Sequence, residues 1–133
     1  FDERQIQLRV IAPREVQAEC RPVQIGQVIL NILNNSISAV QSLNEKWVEI
    51  EVGERPGLVQ IKITDSGSGI PANLRERIME PFFTTKAIGE GTGLGLSIAQ
   101  GIIKNHGGRL LVDSACRNTR FIIEFPKSQR VIR

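Results

Sequence analysis

The segment from Pro22 to about Leu43 constrains the fold most, because its apolar residues recur at steps of three and four. This spacing puts them on one stripe of a helix, and such a stripe faces a hydrophobic core. The stripe consists of Ile25, Val28, Ile29, Ile32, Leu33, Ile37 and Val40. The chain must therefore supply a second layer on which this helix packs.

Segments in which apolar and polar residues alternate predict the strands of that second layer. The predicted strands cover residues 6–10, 48–52, 59–63, 109–114 and 119–125. The first is expected to be half-buried and to end before Pro13. Arg55, Pro56 and Gly57 supply turn chemistry between the second and third strands, which indicates an antiparallel hairpin.

Proline and glycine residues mark two further helices. Pro71 can open a short helix over 73–79, and another is predicted from Gly95 to about Asn105. Gly107 and Gly108 are expected to stop it, because both are free to adopt positive φ. The predicted fold class is α/β, a two-layer sandwich in which about three helices cover one face of a mixed, mostly antiparallel sheet.

Length and composition limit the classes of function. The 133 residues, 41% hydrophobic and 23% charged, fit one globular domain over 1–133. A net charge of +3 comes from scattered basic residues, so no nucleic-acid partner is expected. Cys20 and Cys116 fit no metal-ligand spacing, and we expect structural thiols in a reducing, cytoplasmic compartment. Because the chain begins at Phe1 rather than Met, we expect a fragment of a longer protein.

Four glycines, at positions 89, 91, 93 and 95, directly precede the apolar pattern of the last predicted helix. A glycine-rich loop before a helix exposes backbone N–H groups at the positive end of the helix dipole, where phosphate binds well. An ordinary mobile loop uses glycine in the same way, so this motif alone leaves both interpretations open. The loop lacks the Lys-Ser/Thr ending of a P-loop and the acidic residue of a dinucleotide-binding fold.

A second glycine turn, "DSGSGI", begins with Asp65 at the end of a predicted strand. The carboxylate of Asp65 could accept a hydrogen bond from an exocyclic amine such as that of adenine. Gly67 and Gly69 would leave room for a flat ring. The alternative is a simple Asx-type turn that closes the strand.

Asparagine side chains interrupt the apolar stripe of the long helix. Asn31 and Asn35 are four residues apart and share a face that adjoins the stripe. A buried amide without a partner costs about 1–3 kcal/mol, so these side chains need polar partners. Magnesium and phosphate oxygens would serve, and so would neighbouring loops.

Taken in order, four motifs resemble those of the ATP-binding catalytic domain of sensor histidine kinases. This family belongs to the superfamily that also contains gyrase, the Hsp90 chaperones and the MutL repair proteins. "QVILNILNNSISAV" is similar to its N box, "DSGSGI" to its first glycine box, "EPFFTT" to its F box and "GTGLGLSIAQGIIKNHGG" to its second glycine box. Each motif alone is common, but all four in this order and spacing are not expected by chance. Together the matches cover nearly the whole chain.

The resemblance implies a role for each matched residue. Asn35 would be a magnesium ligand, Asn31 a neighbouring contact to phosphate and metal, and Asp65 the carboxylate that reads adenine. The remaining nucleotide contacts would be Gly67, Gly69, Ile70, Lys86, Gly91, Thr92, Gly93, Leu94, Gly95 and Leu96. Residues 84–92 would form a mobile lid, anchored at its base by Phe82 and Phe83 unless these face a partner.

Two departures from the family patterns bear on chemistry. Ser38 stands where the family often has a basic residue, and Lys86 is the obvious substitute for that phosphate contact. Hydrolases of the superfamily carry a Glu where this chain has Asn31, and an amide cannot act as a general base for water. The resemblance therefore implies phosphoryl transfer with Asn31 and Lys86 as catalytic residues, rather than efficient hydrolysis.

The acceptor of the phosphoryl group must come from outside the chain. His106 is the single histidine, and its place at the end of a helix is typical of a structural residue. The resemblance implies an acceptor histidine on a separate helical dimerisation domain of a homodimeric parent, with a response regulator downstream. A Ser/Thr kinase of the anti-sigma type and a conformational module without transfer are the alternatives, and anchoring of the parent in the inner membrane stays open.

Overall fold

A computed structural model describes residues 5–12, 15–75, 77–80 and 95–128. The elements along these residues are β1 (Gln7–Ile11), α1 (Pro22–Val40), β2 (Trp47–Arg55), β3 (Leu58–Asp65), a short 3-10 helix (Arg77–Met79), α2 (Gly95–Asn105), β4 (Arg109–Val112) and β5 (Thr119–Pro126). The five strands form one sheet in the order β1-β2-β3-β5-β4. Only β1 pairs parallel with its neighbour, so the predicted mixed, mostly antiparallel sheet is confirmed.

The helices α1 and α2 pack side by side and cover one face of the sheet. The buried apolar residues are Ile25, Val28, Ile32, Val40, Val48, Ile50, Val59, Ile61, Ile63, Ala99, Ile103, Leu110, Phe121, Ile123 and Phe125. The described residues contain two α-helices rather than about three, because the segment predicted as a short helix forms turns followed by the 3-10 helix. Neither α-helix in the described ranges combines the length and apolar character needed to cross a membrane.

The predicted stripe of α1 is buried or partly buried except at one position. Ile25, Val28 and Ile32 are buried as predicted, but Ile37 is 37% exposed. Ser36 occupies the core-facing position instead, with a relative exposure of 1%. The reason is geometric, since steps of four from Ile32 lead to Ser36 and then to Val40. One polar side chain therefore lies within the apolar stripe.

Strand β1 lies at the edge of the sheet, and two of its apolar residues, Leu8 and Val10, are exposed rather than half-buried. Leu8 pairs with Val48 and Val10 with Ile50, so both continue the row of core residues. They are nevertheless 57% and 63% exposed, because the two described α-helices do not extend over this edge. Alternation thus predicted the strand correctly but not its burial.

The two glycines after α2 serve different purposes. Gly107 has a φ of 76°, which fits the predicted positive-φ stop. The helix ends before this pair as predicted, and Gly108 is not among the described glycines with positive φ, so Gly107 alone provides the positive-φ stop. A Cβ at Gly108 would overlap the carbonyl oxygen of Glu124 and lie 2.8 Å from Cα of Phe125. Gly108 is required there because the chain passes directly against β5.

Candidate functional site

Asp65 ends β3 with a carboxylate that is only 1% exposed. Its Oδ1 accepts a hydrogen bond from the N–H of Gly67 at 2.7 Å. Burial raises the pKa of Asp65 above its usual range, and the hydrogen bond from Gly67 and the proximity of the Ser36 hydroxyl partly oppose that rise. The Asx-type turn is therefore present, and it occupies one oxygen of a buried carboxylate.

The glycine turn after Asp65 is held against the first residues of β5. Thr119 pairs directly with Asp65 across the sheet. Its Oγ1 accepts the N–H of Gly69 at 3.0 Å, and its own N–H donates to the carbonyl of Gly67 at 3.1 Å. The Asn118 amide also donates to the Gly67 carbonyl, at 3.2 Å. These contacts fix the turn as one wall beside the carboxylate.

Both glycines of this turn are needed for its shape. A Cβ at Gly67 would lie 2.7 Å from Oδ1 of Asp65 and 2.8 Å from Oγ1 of Thr119. Gly69 has a φ of 97°, which side chains rarely tolerate, and apart from its chain neighbours no described residue has a heavy atom within 4 Å of its Cβ position. The turn thus brings backbone close to the carboxylate while leaving open space next to Gly69.

Asn31 connects the two helices at the predicted site. Its Nδ2 donates to the carbonyl oxygen of Gly95, the first residue of α2, at 3.1 Å. Its Oδ1 accepts a hydrogen bond from Nε2 of Gln27 at 2.7 Å. The structure therefore joins two predicted site residues, Asn31 and Gly95, although the predicted contacts of Asn31 to phosphate and metal stay predictions.

Other predicted residues near this point occupy less specific positions. Asn35 lies one turn after Asn31 on α1 and is half-buried. Ile70 and Leu96 are partly buried and pack against the core cluster. The described residues contain no group of three or more His, Cys, Asp or Glu side chains that could hold a metal ion. Asn35 stays the predicted magnesium ligand, since an amide oxygen is a hard ligand of the type that magnesium prefers.

Several predicted site residues lie outside the described residues. These are Lys86, Gly91, Thr92, Gly93 and Leu94, together with the predicted lid over 84–92 and the aromatic pair Phe82 and Phe83. Their roles stay predictions.

His106 joins the end of α2 to the start of α1. The ring is 4% exposed, and its Nδ1 lies 2.9 Å from the carbonyl oxygen of Ile102. Its Nε2 accepts the N–H of Arg21 at 3.2 Å, at a helix start that has no side-chain cap. Because Nε2 accepts and Nδ1 faces a carbonyl, the ring is neutral with its proton on Nδ1. Both nitrogens are occupied, which agrees with the expected structural role.

The sequence did not predict four residues of the site, namely Thr119, Asn118, Gln27 and Ser36. Thr119 and Asn118 reach the site only because β5 lies next to β3, and no local pattern gives that strand order. Gln27 could have been found, since it lies one helical turn before Asn31. Ser36 could also have been found, as the polar residue at a step of four from Ile32.

The site combines a buried hydrogen-bond acceptor, a glycine turn with open space, and asparagines beside the start of a helix. Such an arrangement can bind a planar base that carries an amine at the carboxylate end. The start of α2 directs backbone N–H groups toward the Asn31 side of the site, where an anionic group would be favoured.

Comparison with known proteins gives consistent matches. A family model described as "Histidine kinase-, DNA gyrase B-, and HSP90-like ATPase" matches residues 20–129. The chain is 40% identical over 127 residues to the sensor histidine kinase ZraS of Escherichia coli, covering 92% of this chain and 26% of that relative. The chain thus spans about a quarter of that curated relative.

Solved structures match in the same way. The catalytic domain of the histidine kinase ThkA, in a nucleotide-free form, superimposes with a TM-score of 0.82 and 34% identity, covering 93% of this chain and 80% of that chain. A complex of ThkA with the response regulator protein TrrA matches with a TM-score of 0.76 and 31% identity, covering 93% of this chain and 35% of that chain.

Proposed function

The chain belongs to the family of histidine kinase-, DNA gyrase B- and HSP90-like ATPases, and we propose that it is the part of a two-component sensor kinase that binds Mg-ATP. In this proposal the γ-phosphoryl group passes to a histidine on a separate helical dimerisation domain of the same parent protein. The observation that carries the proposal is the buried Asp65 carboxylate beside the Gly67–Gly69 turn, in a fold shared with histidine kinase catalytic domains.

Adenine fits the chemistry of this carboxylate. The N–H of Gly67 occupies Oδ1 of Asp65, so the second oxygen can accept the exocyclic amine of adenine. Guanine presents a carbonyl oxygen at the same place, and an ionised carboxylate repels it. The proposed base site therefore selects adenine over guanine.

The phosphate end of the proposed site involves Asn31, Asn35 and the start of α2. Asn35 and Asn31 would hold magnesium, with Lys86 and the glycines at 91, 93 and 95 on the phosphates. Magnesium, when bound, supplies charge neutralisation for phosphoryl transfer. Asn31 cannot take a proton from water. In the structure its side-chain amide donates a hydrogen bond to the Gly95 carbonyl and accepts one from Gln27. The proposed site therefore retains the γ-phosphoryl group for another acceptor.

The proposed transfer breaks the bond between the γ-phosphorus and the oxygen that bridges to the β-phosphate, and ADP leaves. A new bond forms between phosphorus and an imidazole nitrogen of the acceptor. The attacking nitrogen is the unprotonated one, and the proton on the other ring nitrogen passes to an acidic side chain next to the acceptor histidine. His106 is a poor acceptor because its ring is buried and both nitrogens have partners.

The proposed partners follow from this chemistry. The acceptor domain belongs to a parent that we propose to be a homodimer, and a response regulator receives the phosphoryl group next. The ThkA–TrrA complex supports the last point for a related kinase. We propose a cytoplasmic location for this chain and no nucleic-acid partner.

Labelling with γ-labelled ATP tests the proposal. The isolated chain should bind ATP without forming a stable phosphoprotein, and addition of the helical domain of its parent should give acid-labile, alkali-stable label on that domain. Replacement of the acceptor histidine by Gln should abolish the label. Label on this chain alone, acid-stable label on a partner serine, or ATP binding with no transfer to the helical domain would each contradict the proposal.

A further inference from the structure

Ser36 is the polar residue within the buried stripe of α1. Its side chain is 1% exposed, like the core residues around it. Its hydroxyl makes no hydrogen bond of standard geometry with the residues that the structure describes. A buried hydroxyl without a partner costs free energy, so its position needs an explanation.

The neighbour that explains this position is Asp65. α1 packs against β3, and the Ser36 hydroxyl lies close enough to the carboxylate to lower the pKa of Asp65. Burial acts more strongly in the opposite direction. The carboxylate is therefore the acceptor that this otherwise unpartnered hydroxyl has beside it.

Asp65 has no charged neighbour among the described residues that pack on it. Val48 of β2 and Thr119 of β5 flank it in the sheet, and Ser36 faces it from α1. The N–H of Gly67 is its remaining described partner. Asp65 is therefore the group that titrates at this point, and its uncharged neighbours decide how easily it does so.

Protonation of Asp65 changes what the carboxyl group can bind. Because the N–H of Gly67 points at Oδ1, a proton taken up at acid pH sits on the second oxygen. That oxygen then donates rather than accepts. The amine of adenine offers only hydrogens, so adenine needs the ionised carboxylate.

We propose that Ser36 is a positioning residue for adenine recognition: its hydroxyl donates to the Asp65 carboxylate and keeps it ionised and oriented toward the base. This inference rests on the proposed binding of adenine nucleotides. The proposed role explains why this core position holds a serine rather than an apolar residue. Without the hydroxyl, burial would neutralise Asp65 at a higher pH and adenine affinity would fall sooner.

The test is the pH dependence of Mg-ADP binding, measured by calorimetry between about pH 5 and about pH 8. Wild-type affinity should fall toward acid pH, and the Ser36→Ala profile should be displaced to higher pH. At the acid end the variant should bind about tenfold more weakly than wild type, which is the size expected for one hydrogen bond to a charged group. The difference should shrink toward the alkaline end.

Ser42→Ala is the matched control, because Ser42 lies just after the same helix and is exposed. Its profile should coincide with that of wild type. Thermal unfolding checks that both variants fold, and a carbon NMR titration of the Asp65 carboxyl in the ligand-free chain measures the effect of Ser36 directly. That titration should show protonation at a higher pH in Ser36→Ala.

Two results would overturn the inference. One is a Ser36→Ala profile that coincides with wild type, and the other is an equal loss of affinity at every pH, which would mean only a packing defect. If wild type binds no ADP at any pH, the proposed function fails instead, and the NMR titration still decides whether Ser36 acts on Asp65. An unchanged titration in Ser36→Ala would refute that action.

Discussion

Two glycines in the same region should respond oppositely to replacement by alanine. Gly108 follows α2 directly, and a Cβ there would overlap the carbonyl oxygen of Glu124 and lie 2.8 Å from Cα of Phe125. These are atoms of the β5 backbone, which cannot rotate away as a flexible side chain can. Gly101 lies in α2 itself and is exposed, and apart from its chain neighbours and the backbone of its own helix no described residue has a heavy atom within 4 Å of its Cβ position.

The two magnitudes follow from these surroundings. Gly108→Ala forces β5 and the start of β4 apart. The overpacking lowers the free energy of unfolding by about 1–3 kcal/mol, and each strand hydrogen bond that is lost lowers it by about 1 kcal/mol more. We expect a total destabilisation of at least about 3 kcal/mol. Gly101→Ala should stabilise by about 1 kcal/mol, because alanine has the higher helix propensity. A total stability of about 5–15 kcal/mol makes both changes measurable.

Urea denaturation followed by circular dichroism and by the fluorescence of Trp47, the single tryptophan, provides the assay. With a slope of about 2 kcal/mol per molar urea, the midpoint should fall by about 1.5 M for Gly108→Ala and rise by about 0.5 M for Gly101→Ala. Equal slopes would show that both variants unfold in the same way. A Gly108→Ala chain as stable as wild type would refute the close approach of Gly108 to β5.

Three further predictions concern single side chains. Asp65→Asn keeps an oxygen for the Gly67 N–H but removes a charge that burial disfavours. Calorimetry should show that the variant binds adenine nucleotides about 10- to 100-fold more weakly. Thermal unfolding near neutral pH should show that it is at least as stable as wild type. Unchanged affinity would argue against base recognition by Asp65. Asn31→Ala removes the hydrogen bond to the Gly95 carbonyl and should lower the free energy of unfolding by about 1 kcal/mol in urea denaturation. Asn34→Ala, at an exposed position, should lower it by less. Equal losses of stability would contradict the hydrogen bond between α1 and α2. The side-chain hydrogen bond from Arg109 holds the pKa of Glu124 below its usual range, so the ionised carboxylate stabilises the fold above its unfolded-state pKa, and this contribution is lost as pH falls through the folded pKa. Glu124→Gln should therefore lose stability relative to wild type near neutral pH and approach it in acid, and a gap that stays constant with pH would count against this account.

The elements that depend on local pattern were predicted well. The bounds of α2, Gly95 to Asn105, match the prediction, and α1 begins at Pro22 as expected. Helix periodicity and turn residues are short-range signals, so a single sequence contains them. Asp65, Gly67 and Gly69 could be identified as a possible base site for the same reason, since they lie close together in the sequence.

Apart from the short helix predicted over 73–79, which was a local prediction, the parts that failed depend on distant partners. The exposure of Leu8 and Val10 depends on how far the helices extend over the sheet, which alternation within β1 does not encode. Thr119 could not be assigned to the site because its position opposite Asp65 requires β5 to lie next to β3. The role of Gly108 depends likewise on the path of β5 beneath it.

The central pairing of β3 with β5 also bears on how the chain reaches its final structure. The hairpin of β2 with β3 and the pair of β4 with β5 connect residues close in sequence, so each can form early. The contact between Gly69 and Thr119 spans 50 residues, and that between Asn31 and Gly95 spans 64. Closing such long loops is entropically costly and slow. The candidate site therefore lies between two parts of the chain that can each form early, the β2–β3 hairpin and the β4–β5 pair. A chain in which only one of these parts has folded has an incomplete site.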